Sequence, residues 1–325
     1  MSQNIGLEVA NGFIKIVTRD NEVIYPNRLK RLTGSEFNAI GNIGTVYEYD
    51  GRKYMIDPNG VSSGGRSSDR YLSKEYLLEL LIAIKQVATE RNISLTIGVP
   101  CRDFENTSLK NEMVERIMGR HEITVIENDS SEDSIINIQD VFVTCEPLGT
   151  LCDFVFNEKL QVINDRHSLN YVIIDIGFST TDILATKGLQ VDRLAGKDIG
   201  CMDIVRNFVR EMNNLKKDTD YHFTNVDVSD DISPIVYKYG EKFDFSKQLD
   251  EVKTAFASDL ESFIRDTGIN LANYDRIIYT GGGALAMQDY IKLRSNAIIH
   301  KDAQITNARG FYKYTLIKKG WFHGT

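Results

Sequence analysis

The chain has 325 residues, 42% hydrophobic and 26% charged, with a formal net charge of −8 at pH 7. That length gives room for a large core and suggests about two domains. The acidic balance argues against a broad, non-specific phosphate-binding face, which needs clustered Lys and Arg.

In chain order, residues 5–17 (IGLEVANGFIKIV) read as two β-rich runs joined by a tight turn, a hairpin signal. Residues 19–70 hold strand-like pieces (NEVIYP, TVYEYDG, RKYMID) and end in a Gly/Ser-rich loop, VSSGGRSSD, resembling a small appended subdomain. Within this block, Arg28, Lys30 and Arg31 form a basic run, either a contact patch or a solvated strand end. Residues 74–92 place apolar residues at helical spacing, over a face wide enough to be mostly buried. LTIGVP (95–100) is then a buried strand stopped by Pro. A helix follows, opened by Asn106 or Thr107 as cap and closed at Gly119. Two strands, ITVIE and IINIQDVFVT, precede a helix in CEPLGTLCDFVFNE.

The second half repeats the scheme. YVIIDIGFSTTDILAT (171–186) is a second hairpin, followed by a helix in DIGCMDIVRNFVREMNNLK, an insert, a helix in QLDEVKTAFASDLESFIRDTG and a strand in DRIIYT. Three glycines, Gly281, Gly282 and Gly283, separate that strand from a helix expected in ALAMQDYIKL. RGFYKYTLIKKG reads as a final helix.

The turns carry the chemistry. Glu8 and Asp175 end the first strand of each hairpin, and Asn11, Gly12 and residues 177–180 offer closely spaced N–H groups with little bulk. Such N–H groups make an anion-binding concavity, and a carboxylate beside it suits a hydrated Mg²⁺. The four cysteines, Cys101, Cys145, Cys152 and Cys201, show no Cys-x-x-Cys spacing and no nearby His, which gives zinc little support. The start MSQNIGLEV has neither the basic residues nor the apolar run of a secretory signal. No stretch reaches the roughly 20 apolar residues of a membrane span. The expectation is a cytoplasmic protein with reduced thiols.

The two hairpins, with TGGGA (280–284) after RIIY, resemble the actin, chaperone and sugar-kinase ATPase superfamily. YPNRLKRL (25–32), LTIGVP, VTCEPLGT (143–150) and NARGFYKY (307–314) extend the resemblance to the bacterial actin-like proteins of the ParM type, which segregate plasmids. These stretches span nearly the whole chain in the expected order. The resemblance implies an α/β, two-domain actin-like ATPase fold, with duplicated sheet-and-helix domains around a nucleotide cleft. Each domain would carry a mixed five-stranded sheet. The first would cover residues 1–165, including the 19–70 subdomain, with 306–325 returning to it as a helix; the second would cover 166–305.

The same resemblance assigns roles. Asn11 and Gly12 would meet phosphate, and Lys15 would point to a β- or γ-phosphate. The alternative for Lys15 is a snorkelling surface side chain. Asp175 would hold Mg²⁺ through water and serve catalysis, or else act as a turn carboxylate. Gly177, Ser179 and Thr180 would donate to the phosphates, and Asp182 would orient the turn or a lytic water. Glu146 would position the attacking water, although Glu at a helix start with Pro147 behind it is also favoured by the helix dipole. Gly281, Gly282 and Gly283 would lie against the adenosine, or simply form a tight turn.

Three positions depart from the family pattern: Glu8 where Asp is usual, Ala10 where Gly is frequent, and Phe178 where Gly is common. Glu8 either still serves the metal or only decorates a strand end. The implied activity is ATP hydrolysis with Mg²⁺, coupled to self-assembly into filaments. A DNA-binding adaptor at a centromere-like plasmid site would hold the cargo, with no direct nucleic-acid or membrane contact. The alternatives are a non-polymerising nucleotide-binding regulator and a small-molecule kinase of the same superfamily.

Overall fold

The computed structural model describes residues 2–33, 44–57, 60, 66–127, 130–228 and 232–320. Most of the expected VSSGGRSSD loop falls outside those residues. The chain divides into two compact units, residues 1–164 with 305–325 and residues 165–304.

The first unit is built on nine strands. They are β1 (Gln3–Val9), β2 (Phe13–Val17), β3 (Glu22–Pro26), β4 (Leu29–Arg31), β5 (Val46–Tyr49), β6 (Arg52–Ile56), β7 (Asn92–Val99), β8 (Gly119–Glu127) and β9 (Ser130–Cys145). Among the described residues they form one sheet in the order β3-β2-β1-β7-β9-β8-β5-β6-β4. The expectation of five strands is corrected here. β9 is 16 residues long, and its second half pairs with β7 while its first half reaches β8, which carries the sheet on through β5. Among the described residues, the strands of the 19–70 segment join this sheet, with β3 at one edge and β4, β5 and β6 at the other.

Helix α1 (Lys74–Val87) opens at Ser73, whose hydroxyl accepts from the Tyr76 N–H. It ends five residues short of the expected 92, because β7 already begins at Asn92. Its apolar residues from Leu80 to Ile84 are all buried, as the sequence required. α2 (Cys101–Phe104) and α3 (Thr107–Ile117) follow, the latter capped by the Asn106 side chain on the Leu109 N–H. α4 (Glu146–Val155) starts directly at the end of β9.

In the second unit, β10 (Tyr171–Ile176), β11 (Thr181–Lys187) and β12 (Gln190–Lys197) are consecutive antiparallel strands. α5 (Cys201–Leu215) precedes an insert that contains a separate hairpin, β13 (Ile235–Lys238) and β14 (Glu241–Asp244). α6 (Ser246–Asp266), β15 (Arg276–Thr280), α7 (Gly282–Ala286) and β16 (Ala297–Ile299) complete it. The helix expected over ALAMQDYIKL is corrected: α7 starts on the glycines themselves and lasts five residues, after which the chain turns. Met287, Tyr290 and Ile291 still pack onto the core of this unit, but through turns, the N–H groups of Tyr290 and Ile291 both donating to the Met287 carbonyl.

The sheet order β12-β11-β10-β15-β16 matches β3-β2-β1-β7-β9 strand for strand, including which pairs are parallel. Each unit therefore holds one copy of the same device.

The last helix, α8 (Thr306–Lys318), belongs to the first unit. It is seated through four glycines. A Cβ on Gly6 of β1 would land on the Ala308 carbonyl and the Tyr312 N–H, and one on Gly98 of β7 would enter the Phe311 ring. A Cβ on Gly310 would sit inside the Gly149 carbonyl of α4. Hydrogen bonds close the seam: the Thr150 hydroxyl lies 2.7 Å from that of Thr306 and donates to the Asn307 side chain at 2.8 Å. Lys313 Nζ donates to the carbonyls of Asp153 and Phe156 at the end of α4, and to the Asp153 carboxylate at 2.6 Å. These contacts set the axis of α4, and with it the place of Glu146 at its first position.

Candidate functional site

In the first hairpin, Glu8 and Lys15 are direct cross-strand partners in the β1–β2 register. Both are buried, with 5% and 7% of their surface exposed, and Lys15 Nζ donates to Glu8 Oε1 at 2.6 Å. Lys15 is therefore not a snorkelling surface lysine. The second oxygen, Glu8 Oε2, is buried without a hydrogen-bond partner among the described residues. A buried carboxylate oxygen with spare acceptor capacity is costly unless something supplies the missing donor or cation.

The turn that follows is held from outside. Asn27 Nδ2 donates to the Ala10 carbonyl at 2.9 Å, and the Asn27 N–H donates to the Gly12 carbonyl. Arg70, on the short 3-10 turn Ser68–Leu72, donates to the Val9 carbonyl at 2.9 Å and pairs with Glu79 of α1 at 2.7 Å. Sequence reasoning gave no role to Asn27, Arg70 or Glu79. The available signal was the carboxylate of Glu79 inside the otherwise apolar run YLLELLIAI. Burial pushes the Glu79 carboxyl up, opposed by the Arg70 charge and by hydrogen bonds from Asn27 and Arg70.

Glu146 lies at the start of α4 beside Gly98, where a Cβ would approach its Cγ to 2.9 Å. Its position matches the helix-start reading, since a negative side chain is favoured there. Its charge also reaches two buried tyrosines: burial above all, then Glu146, raises the Tyr71 hydroxyl, and Glu146 acts in the same direction on Tyr76.

In the second hairpin, Asp175 faces Asp182 in register, and both are buried. Two carboxylates opposed across a strand pair repel, and a nearby cation relieves that repulsion. Thr180 Oγ1 donates to Asp182 Oδ2 at 2.9 Å, and the Gly177 N–H donates to the Thr180 carbonyl at 2.9 Å, closing the turn. Ser179 is buried within it. The N–H groups of Cys201 and Met202, at the start of α5, donate to the carbonyls of Gly177 and Phe178. Phe178 thus serves the turn through its backbone, where a side chain is tolerated.

The glycine turn packs onto this hairpin. Gly281 has φ +83, and a Cβ there would collide with Asp175 Oδ1 and the Ile176 carbonyl. A Cβ on Gly283 would enter the Ile176 side chain. Both glycines are thus required by the fold alone. Around Gly282, by contrast, nothing lies within 4 Å of the Cβ position. Gly282→Ala should therefore leave the melting temperature within about 2 °C of wild type, and any fall in nucleotide affinity then reports a ligand against that face. An unchanged affinity for a fluorescent ATP analogue would remove Gly282 from the site.

Within each unit, then, the structure gathers most of the residues singled out in the sequence: Glu8, Asn11, Gly12 and Lys15 in one hairpin, and Asp175, Gly177, Ser179, Thr180 and Asp182 with the glycine turn in the other. Among the described residues no group of three or more His, Cys, Asp or Glu side chains converges on one point, so a hard cation such as Mg²⁺ would be met by isolated carboxylates through water.

Two sequence families match these two units. The family described as "Actin like proteins N terminal domain" covers residues 6–149, and the one described as "Archaeal actin homologue MreB-like, C-terminal" covers 173–293. The chain belongs to the actin-like protein superfamily.

Solved structures agree on the fold of this actin-like protein. An archaeal actin homologue, Ta0583, in complex with ADP, is 18% identical over 96% of this chain and 98% of its own, with a TM-score of 0.76. A 15-stranded ParM filament from Clostridium botulinum is 16% identical over 97% of this chain and 99% of its own, with a TM-score of 0.76. The Alp12 filament structure is 22% identical over 98% and 99%, with a TM-score of 0.65. No curated protein matches the sequence. Among the described residues, no helix is long and apolar enough to cross a membrane.

Proposed function

We propose that this actin-like protein binds and hydrolyses ATP with Mg²⁺ and assembles head to tail into filaments that turn over as ATP is consumed. The observation that carries this reading is the repeated hairpin, with a buried carboxylate one residue before the end of each first strand, Glu8 and Asp175. The ADP complex of one neighbour and the filaments of two others support it.

In this reading Asp175 and Glu8 would hold the Mg²⁺ through water, and the ion would supply positive charge to the phosphates. Lys15 serves as a point charge on a phosphate while remaining hydrogen-bonded to Glu8. Asn11, Gly12, Gly177, Ser179 and Thr180 donate to the phosphates, and Gly281, Gly282 and Gly283 take the adenosine. Asp182 orients the second turn. Glu146 orients the attacking water, its placement set by the α4–α8 seam.

A heterologous contact whose rotation does not close produces a filament, and loss of the γ-phosphate weakens such contacts by changing the protomer's conformation. The filament would move plasmid DNA through a DNA-binding adaptor at a centromere-like site, in the cytoplasm. Ultracentrifugation with ATP against ADP tests the reading: pelleting with ATP and its decay after phosphate release support it. Glu146→Ala should still pellet but release phosphate roughly 10²-fold more slowly, prolonging the filaments. Equal pelleting in both nucleotides, with no phosphate released, would refute it.

Glu8→Gln separates the two readings of that residue. It replaces the charged acceptor of the buried 2.6 Å Lys15 hydrogen bond by a neutral one, a cost of up to about 3 kcal/mol, visible in a thermal melt. Lys15→Met in the same chain should recover most of that loss. If Glu8 also serves the metal, nucleotide affinity of the double variant will no longer respond to Mg²⁺ as wild type does. An unchanged Mg²⁺ response would leave Glu8 as a strand-end ion pair only.

A further inference from the structure

We propose that Glu79, acting through Arg70 and Asn27, is the positioning residue of the first hairpin: it fixes the two carbonyls, Val9 and Ala10, that follow Glu8 and so sets where the Glu8 carboxylate points. The inference rests on the proposed binding of ATP and Mg²⁺.

The contacts form a closed frame. Arg70 spans two partners with its planar fork, one nitrogen on the Val9 carbonyl at 2.9 Å and another on Glu79 Oε2 at 2.7 Å. Asn27 donates to the adjoining Ala10 carbonyl at 2.9 Å, and its side chain favours the charged form of the same Glu79 carboxylate. Glu79 therefore ties together the two donors that grip consecutive carbonyls of the turn. Arg70 is clamped further by aromatic rings, its guanidinium lying 5.1 Å from the Tyr76 centroid and 6.0 Å from that of Tyr71. A guanidinium held by a carboxylate, a carbonyl and two rings has little freedom.

The frame is also more than the fold needs. β1 is already paired with β2 on one side and β7 on the other, so its strand position does not depend on Arg70. What the strand pairs leave open is the course of the chain after Val9, where the β1–β2 register ends. A buried carboxylate–guanidinium pair adds little net stability compared with apolar residues of the same size, but it does impose geometry. Ala10 makes that geometry necessary: its methyl group denies the turn the freedom Gly would have, and the longer Glu8 side chain can reach a metal's water shell only if its base is held steady.

Three variants test this: Glu79→Gln, Arg70→Lys and Asn27→Ala. Each is measured for thermal melting and for binding of a fluorescent ATP analogue, once with EDTA and once across a Mg²⁺ titration. Loss of a group that orients a metal-facing ligand typically weakens metal affinity 10- to 100-fold. We expect the Mg²⁺ half-saturation to rise by about 10-fold in Glu79→Gln, with affinity in EDTA unchanged. Arg70→Lys, which keeps the charge but not the fork, should fall between that variant and wild type. Folded variants with a wild-type Mg²⁺ response would overturn the proposal. So would three variants that show no cooperative melt, since the frame would then be a folding element. If wild-type protein binds no nucleotide at all, the ATP reading itself fails, and the proposal falls with it.

Discussion

Asp175→Ala should lower Mg²⁺-dependent phosphate release by at least about 10²-fold, in a protein that still melts cooperatively. Asp175 sits near the end of a strand whose six residues are all buried, directly opposite Asp182, with its Oδ1 against the Gly281 turn. A core position would not be expected to hold two opposed carboxylates for its own sake, because their repulsion weakens the strand pair. The backbone pairing of Asp175 with β11 and β15 does not involve its side chain, so the variant should still fold. On the proposed reading the loss would fall on the ligand, because Asp175 is the carboxylate that would hold the cation beside the phosphates. Phosphate release and a thermal melt are measured on the same preparation. Release at the wild-type rate would strike Asp175 from the site, and a protein that no longer folds would show that the carboxylate serves the core.

Gly310→Ala should lower the melting temperature by roughly 10 °C, an overpacking cost of about 3 kcal/mol. Local propensity predicts the opposite sign, because Ala is favoured over Gly inside a helix by about 1 kcal/mol. The close approach decides the sign. The new methyl would lie inside the Gly149 carbonyl, and neither α8 nor α4 can retreat without breaking the Thr150–Thr306–Asn307 hydrogen bonds and the Lys313 cap. Because α4 carries Glu146 at its first position, hydrolysis should fall in whatever fraction stays folded. Gly282→Ala, introduced where the structure is open, is the matched control. Equal melting of the two variants would mean that the α4–α8 seam is looser than its contacts imply.

The glycine seam also explains why the family resemblance was legible in the sequence. Gly6 comes from IGLEV, Gly98 from LTIGVP, Gly149 from VTCEPLGT and Gly310 from NARGFYKY. Four motifs far apart in the chain are the four sides of one helix contact. Gly6, Gly149 and Gly310 are dictated by backbone-to-backbone approach and Gly98 by the Phe311 ring, and none of the four places has room for a side chain.

The hairpins were equally readable, since strand periodicity, a turn glycine and a carboxylate one residue before the strand end are all local features. So was the cap at Asn106, one of the two residues offered for it, where the side chain meets an N–H three residues on. The extent of the first sheet was not readable, because it depends on β9 meeting different partners along its length. The stop of α7 after five residues and the sharing of Glu79 between Asn27 and Arg70 were not readable either.

By itself, then, the sequence determined the two hairpins, the buried face of α1 and the carboxylates Glu8, Glu146 and Asp175 as the chemical candidates, because each rests on residues within one or two turns of chain. Only the tertiary structure decided which charge each carboxylate meets. Lys15 neutralises Glu8 while Asp182 opposes Asp175, although the two hairpins share one topology. That difference arises from cross-strand and inter-element distance, and Coulomb energy depends on where charges lie in space, whatever their separation along the chain.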